Sequence, residues 1–223
     1  MKKTMPVMRS GDWFDGPGKL EQLARELLWY PEMGVLEVGP RPSSFELAKL
    51  LHMKFFHLEM STQQLELHRE LAEKLGVSAQ AALWEEKEKT LEEWPAVDAL
   101  VLRNVCGISM DELKKLLRKL SCPGSLLLVW PVRLKPVSKA WEKTWTQPLW
   151  TPHELLCQLR DLGFESMHIE CCPLVSEGQS SEVLLKEVAK EAEGVEEKDL
   201  LLTAYAIVSA TLLDSENKTP VER

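Results

Sequence analysis

Apolar residues along this chain fall into two alternating rhythms. Short apolar runs stand at 35–38, 55–58, 79–84, 99–102, 126–130, 165–171 and 200–208. They are too short for helices and read as buried strands. Between them apolar positions recur every three or four residues: Leu47/Leu50/Leu51, Leu65/Leu71/Ala72/Leu75, Leu113/Leu116/Leu117/Leu120 and Leu155/Leu156/Leu159/Leu162. That spacing lays one apolar stripe along a helix. Each stripe is preceded by Ser/Thr-x-x-Glu/Gln: Ser43…Glu46, Ser61…Gln64, Ser109…Glu112 and Thr151…Glu154. This is the capping-box signature, and Pro152 adds a residue suited to the first helical position. Gly76 and Gly163 stand where a left-handed C-cap belongs. A further helix over about 18–28 precedes the first strand.

Strand and helix in alternation imply parallel βαβ units with right-handed crossovers, hence an α/β doubly wound sheet. The organisation reads as an N-terminal extension (1–17), one domain (18–213) and a polar tail (214–223). An acidic stretch over about 181–198, amphipathic through Leu184/Leu185/Val188/Ala189, reads as a helical insertion before the last strand.

The first strand runs into Gly34-Val-Leu-Glu-Val-Gly-Pro-Arg-Pro-Ser-Ser44, and Glu59 closes the second strand about 20 residues after Gly39. In a doubly wound sheet both Glu37 and Glu59 fall at the carboxyl ends of neighbouring strands, where ligands bind. A carboxylate there can accept both hydroxyls of a ribose.

These residues resemble motifs I and II of the class I S-adenosylmethionine-dependent methyltransferases. Glu37 and Gly39 match the family pattern; Arg41 and Ser43 replace its second and third glycines. Pro40 and Pro42 stiffen the same turn. Later segments extend the likeness over roughly 18–210: the strand at 97–102, the turn at 120–128, and the helix and turn from Thr151 to Phe164. The resemblance implies a seven-stranded sheet in the order 3-2-1-4-5-7-6, with only the last strand antiparallel. It implies S-adenosylmethionine as cofactor, held by Glu37 at its amino end and by Glu59 at its ribose. Trp84, closing the third strand, would lie by the adenine, and Asn104 follows the fourth. The amino-group subclass carries N/D-P-P-Y at Asn104; here Val105 and Cys106 follow instead.

Other readings of these residues stay open. Glu37 could be a structural link, Glu59 a strand-end charge and Trp84 a core or rim residue. Arg41 could clamp a ligand carboxylate, fill the site or face solvent. Of the eight tryptophans, Trp130, Trp141, Trp145 and Trp150 crowd the segment after the fifth strand. They could line a pocket for a small apolar or aromatic acceptor, form a satellite core, or seal a homodimer.

Net charge is −8 with few basic concentrations, which argues against a nucleic-acid partner. No apolar run is long enough to span a membrane, and the N-terminus lacks a signal-peptide core. The five cysteines have no C-x-x-C spacing, as expected of a reducing cytoplasm. Adjacent Cys171 and Cys172 should face opposite sides of a strand. His52, His57, His68, His153 and His168 show no metal or nucleophile spacing, so no metal site is expected. The function expected is methyl transfer to a small molecule; the rival is a catalytically inactive interaction module with the same fold.

Overall fold

The computed structural model describes residues 19–40, 42–103, 108–145, 147–173 and 196–212. The proposed extension, the tail, Arg41, Asn104 and nearly all of the acidic insertion lie outside the described residues.

The elements run α1 (Lys19–Glu26), β1 (Gly34–Val38), α2 (Pro42–Leu50), β2 (Lys54–Glu59), α3 (Thr62–Leu75) and β3 (Ala79–Leu83). Next come α4 (Lys87–Glu93), β4 (Val97–Leu102), α5 (Met110–Leu117), β5 (Leu120–Arg133) and α6 (Lys139–Glu142). The last are α7 (Pro152–Asp161), β6 (Phe164–Pro173), α8 (Glu197–Leu201) and β7 (Thr203–Leu212). All seven strands join one sheet in the order β3-β2-β1-β4-β5-β7-β6. The strands from β3 to β5 pair in parallel, and β7 runs antiparallel to both β5 and β6. This is the order and sense expected from the sequence.

Helices cover both faces of the sheet, so strand residues are buried on both sides. Alternation splits them into two cores. Leu36, Leu58, Leu100, Leu102 and Leu128 pack with Leu91 of α4, Leu113 and Leu116 of α5 and Leu155 of α7. Val35, Phe55, Ala99, Val101 and Leu127 pack with Ala24 of α1, Phe45 of α2 and Ala72 of α3. The same alternation leaves Cys171 exposed and Cys172 buried.

Three of the expected helix starts are built as read. Ser61 accepts from the Gln64 N–H, and Ser109 and Thr151 form full capping boxes with Glu112 and Glu154. Gly76 and Gly163 take left-handed φ of +70° and +93°. The Ser43 box is not formed. The helix already begins at Pro42, whose missing N–H is no loss in a first turn, so Ser43 lies inside it. Trp84 leaves the third strand for a short 3₁₀ turn, Trp84–Glu86. The fifth strand starts earlier than its apolar run, and its ladder with β4 skips from Leu120 to Ser125. The last strand begins at Thr203, because Leu200 and Leu201 end α8.

Candidate functional site

Strand register decides which polar groups meet at the carboxyl edge of the sheet. Glu37 stands opposite His57 on β2 and Val101 on β4. With the two-residue alternation of a strand, Glu37, His57 and Glu59 all lie on the face covered by α2 and α3. Between β1 and β2's end, Gly39 takes φ +64°, and its N–H donates to the Leu58 carbonyl at 2.9 Å. A side chain with a Cβ adopts that conformation only at a cost, which explains the glycine.

Glu37 is 1% exposed. Arg103, the residue just after β4, reaches it from the side. Arg103 Nε donates to Glu37 Oε1 at 2.7 Å and Nη2 donates to the same oxygen. Nη2 also donates to the hydroxyl of Ser44 in the first turn of α2. One buried ion pair thus ties β4, β1 and α2 together. Arg103 was missed in the sequence reading, where it looks like a strand-end residue in Leu102-Arg103-Asn104. The only signal for it was Glu37 itself, since a carboxylate inside an apolar strand needs a partner.

Glu59 is fully buried. Its Oε1 accepts from His57 Nδ1 at 2.9 Å and from His68 Nδ1 of α3 at 2.6 Å. Burial acts to raise its pKa; the hydrogen bonds from His57 and His68, with their charge, outweigh this and hold the carboxyl below its ordinary value. Among the described residues Glu59 Oε2 and His57 Nε2 are buried without a hydrogen-bond partner. Phe45 of α2 packs edge-on against His57, centroids 5.4 Å apart, and tilted against His68 at 5.3 Å. His57, Glu59 and His68 place three potential ligand atoms within 4.8 Å of one another. The sequence shows no metal-type spacing for these residues; the fold brings them together. Two of the three sit at i and i+2 on one strand face, and the third comes from the next helix, a pattern no local motif displays.

Trp84 is half-buried at the start of the 3₁₀ turn, with Lys87 Nζ 4.5 Å from its ring centroid. The four later tryptophans pack mainly on one another. Trp130 is fully buried, stacks on Trp150 with centroids 5.6 Å apart, and donates to the Pro148 carbonyl. Trp141 is fully buried and donates to Thr203 Oγ1 at 2.8 Å. Trp145 meets Trp141 edge-on at 5.5 Å and Tyr205 at 6.2 Å. The two residues that retain something to offer a ligand are Trp150, half-buried, and Trp145, whose buried Nε1 has no partner among the described residues. A cavity of about 570 Å³ lies elsewhere, against the edge strand β3, between α3 and α4.

No family model matches the chain, and no curated protein sequence matches it. Solved structures do. A methyltransferase from Thiobacillus denitrificans, in complex with S-adenosylhomocysteine, superposes with a TM-score of 0.61 at 16% identity over 96% of this chain and 99% of that one. A methyltransferase from Geobacter sulfurreducens, also in complex with S-adenosylhomocysteine, gives 0.60 at 15% over 87% and 90%. This chain has the class I methyltransferase fold. The same fold is similar to the [4+2]-cyclase SpnF, with a TM-score of 0.61 at 18% identity over 86% of this chain and 79% of that one. The class I methyltransferase fold therefore leaves the reaction to be argued from the site.

Proposed function

We propose that this chain binds S-adenosylmethionine at the carboxyl ends of β1, β2 and β4 and transfers its methyl group to a small molecule. The observation that carries the reading is Glu59 Oε2, a buried carboxylate oxygen without a partner among the described residues, at the end of β2. An unmet buried acceptor is costly, and ribose hydroxyls meet it. His57 and His68 occupy the other oxygen, so the carboxylate is held in one orientation. The left-handed turn at Gly39 lets the backbone approach a ligand closely. Two neighbours of this fold carry S-adenosylhomocysteine, which supports the same ligand class here.

Bound S-adenosylmethionine supplies an electrophilic methyl group on a sulfonium. The chain's part is to hold and orient. Glu59 fixes the ribose. Arg103, already on Glu37, offers a cation to the ligand's carboxylate. Glu37, Arg41 and Asn104 belong to the same proposed contact set, with Trp84 towards the adenine. Trp145 and Trp150 are the proposed contacts of a small planar acceptor, backed by Trp141 and Trp130. Catalysis by positioning needs no general base when the nucleophile is a thiol or an ionised oxygen.

The Arg103–Glu37 pair favours a second reading, an inactive module: a guanidinium occupies the carboxylate that would otherwise meet the cofactor's ammonium group. Incubation with methyl-labelled S-adenosylmethionine and a small-molecule extract separates the two. Methyl transfer predicts label in a low-mass product, lost with Glu59→Ala. No product above the protein-free control with any fraction supports the module.

A further inference from the structure

We propose that His57, Glu59 and His68 form a zinc site in which Glu59 binds the ion through Oε1. The inference goes beyond the proposed methyl transfer and does not depend on it.

The donor set comes first. Two imidazoles and one carboxylate suit zinc, which takes nitrogen and oxygen ligands in four-coordinate sites. His57 Nδ1 and His68 Nδ1 both point at one atom, Glu59 Oε1, at 2.9 and 2.6 Å. Ligand atoms around a tetrahedral zinc with bonds of about 2.1 Å lie roughly 3.4 Å apart. The two Nδ1 atoms therefore need to move away from Oε1 by less than about an ångström, and all three ligand atoms already lie within 4.8 Å of one another. They stand on β2 and α3, regular elements that fix their directions.

The electrostatics give the reason for a cation. His57 and Glu59 are fully buried and His68 is 7% exposed. Among the described residues no lysine or arginine pairs with Glu59. The hydrogen-bonded arrangement leaves Glu59 Oε2 and His57 Nε2 buried and unmatched. A zinc ion on Oε1 meets neither atom; what it compensates is the charge of a fully buried carboxylate. A divalent ion on Oε1 offsets the buried charge and leaves Oε2 for a ligand. Each imidazole binds as the neutral ring through its Nδ1 lone pair, with its proton on Nε2, and no redox change occurs. Close burial favours a four-coordinate ion, completed by one water, over a six-coordinate ion with three open positions. His57 also borders the cavity of about 570 Å³, together with Arg69 and Ala72 of α3 and Ala79 and Ala81 of β3.

The test uses the full chain, stripped of metal with a chelator. Zinc titrated against a chromophoric competitor should bind at one equivalent per chain. Cobalt(II) in its place should give the intense visible bands of a four-coordinate ion, without a thiolate charge-transfer band. His68→Gln should weaken zinc binding by at least about 100-fold, since loss even of a supporting residue costs 10–100-fold. Sub-stoichiometric uptake, a weak six-coordinate cobalt spectrum, a thiolate band, or unchanged zinc affinity in folded His68→Gln would each overturn the site. If that variant does not fold, the cobalt spectrum of the unaltered chain decides alone. S-adenosylhomocysteine binding is measured separately. Zinc uptake without it would leave the metal site standing and remove the proposed function; the reverse result would do the opposite.

Discussion

Arg103 and Glu37, 66 residues apart, form a buried ion pair in which two guanidinium nitrogens share one carboxylate oxygen. The pair welds the end of β4 to the end of β1, and through Ser44 to α2. It also means that the acidic residue of the β1 turn is neutralised before any ligand arrives.

Removing one partner should therefore be costly. Arg103→Gln leaves a buried carboxylate without its cation and should lower stability by about 3–5 kcal/mol. The double variant Glu37→Gln/Arg103→Gln should recover part of that loss. Urea denaturation of the two singles and the double measures the coupling. Strictly additive losses would show that the pair is not a unit.

Trp141 anchors the segment after β5. It is fully buried, donates to Thr203 and meets Trp145 edge-on. Trp141→Ala should cost about 3–5 kcal/mol. A loss below about 1 kcal/mol in chemical denaturation would point instead to a surface the chain keeps for a partner.

Asp199 ties α8 to the start of α6. It accepts from the Ser138 N–H at 2.8 Å, the Ser138 hydroxyl at 2.7 Å and the Glu196 N–H at 3.0 Å. Burial pushes its pKa up, but the donors at Ser138 and Glu196 outweigh it and hold the carboxyl below its ordinary value. The unfolded chain thus takes up a proton at higher pH than the folded one. The stabilisation is complete above the unfolded pKa of about 3.9 and is lost as pH falls through the lower folded value. Asp199→Asn should be less stable near neutrality and should lose less stability on acidification below about pH 4. Denaturation midpoints across that range check it; parallel curves for the two proteins would contradict the assignment.

The fold was legible because each of its signals is local. Runs such as Phe55-Phe56-His57-Leu58 and boxes such as Thr151-Pro152-His153-Glu154 declare their elements without knowledge of the rest. The misplaced boundaries have local causes too. Pro42 starts α2 one residue before Ser43 can cap it, and Leu200 and Leu201 are apolar enough for a strand but complete a helical turn. The site was legible only in part. Glu37 and Glu59 are marked by their positions within apolar runs. Their partners are not marked: Arg103 reaches Glu37 across a strand pairing 66 residues away, and His68 reaches Glu59 from the next helix. Likewise the clustering of Trp130, Trp141, Trp145 and Trp150 is visible in sequence, but which rings bury which depends on the closure of β5 on β7.

The central claim is that the carboxyl edge of this sheet holds S-adenosylmethionine through Glu59. Calorimetric titration of S-adenosylhomocysteine into the protein and into Glu59→Ala tests it most directly. The account predicts one site per chain in the unaltered protein, at micromolar to sub-millimolar affinity. It predicts a loss of about tenfold or more in the folded variant, since each hydrogen bond to a charged group is worth about 1.5–3 kcal/mol. No heat at millimolar ligand, or equal affinity in the two proteins, would contradict it.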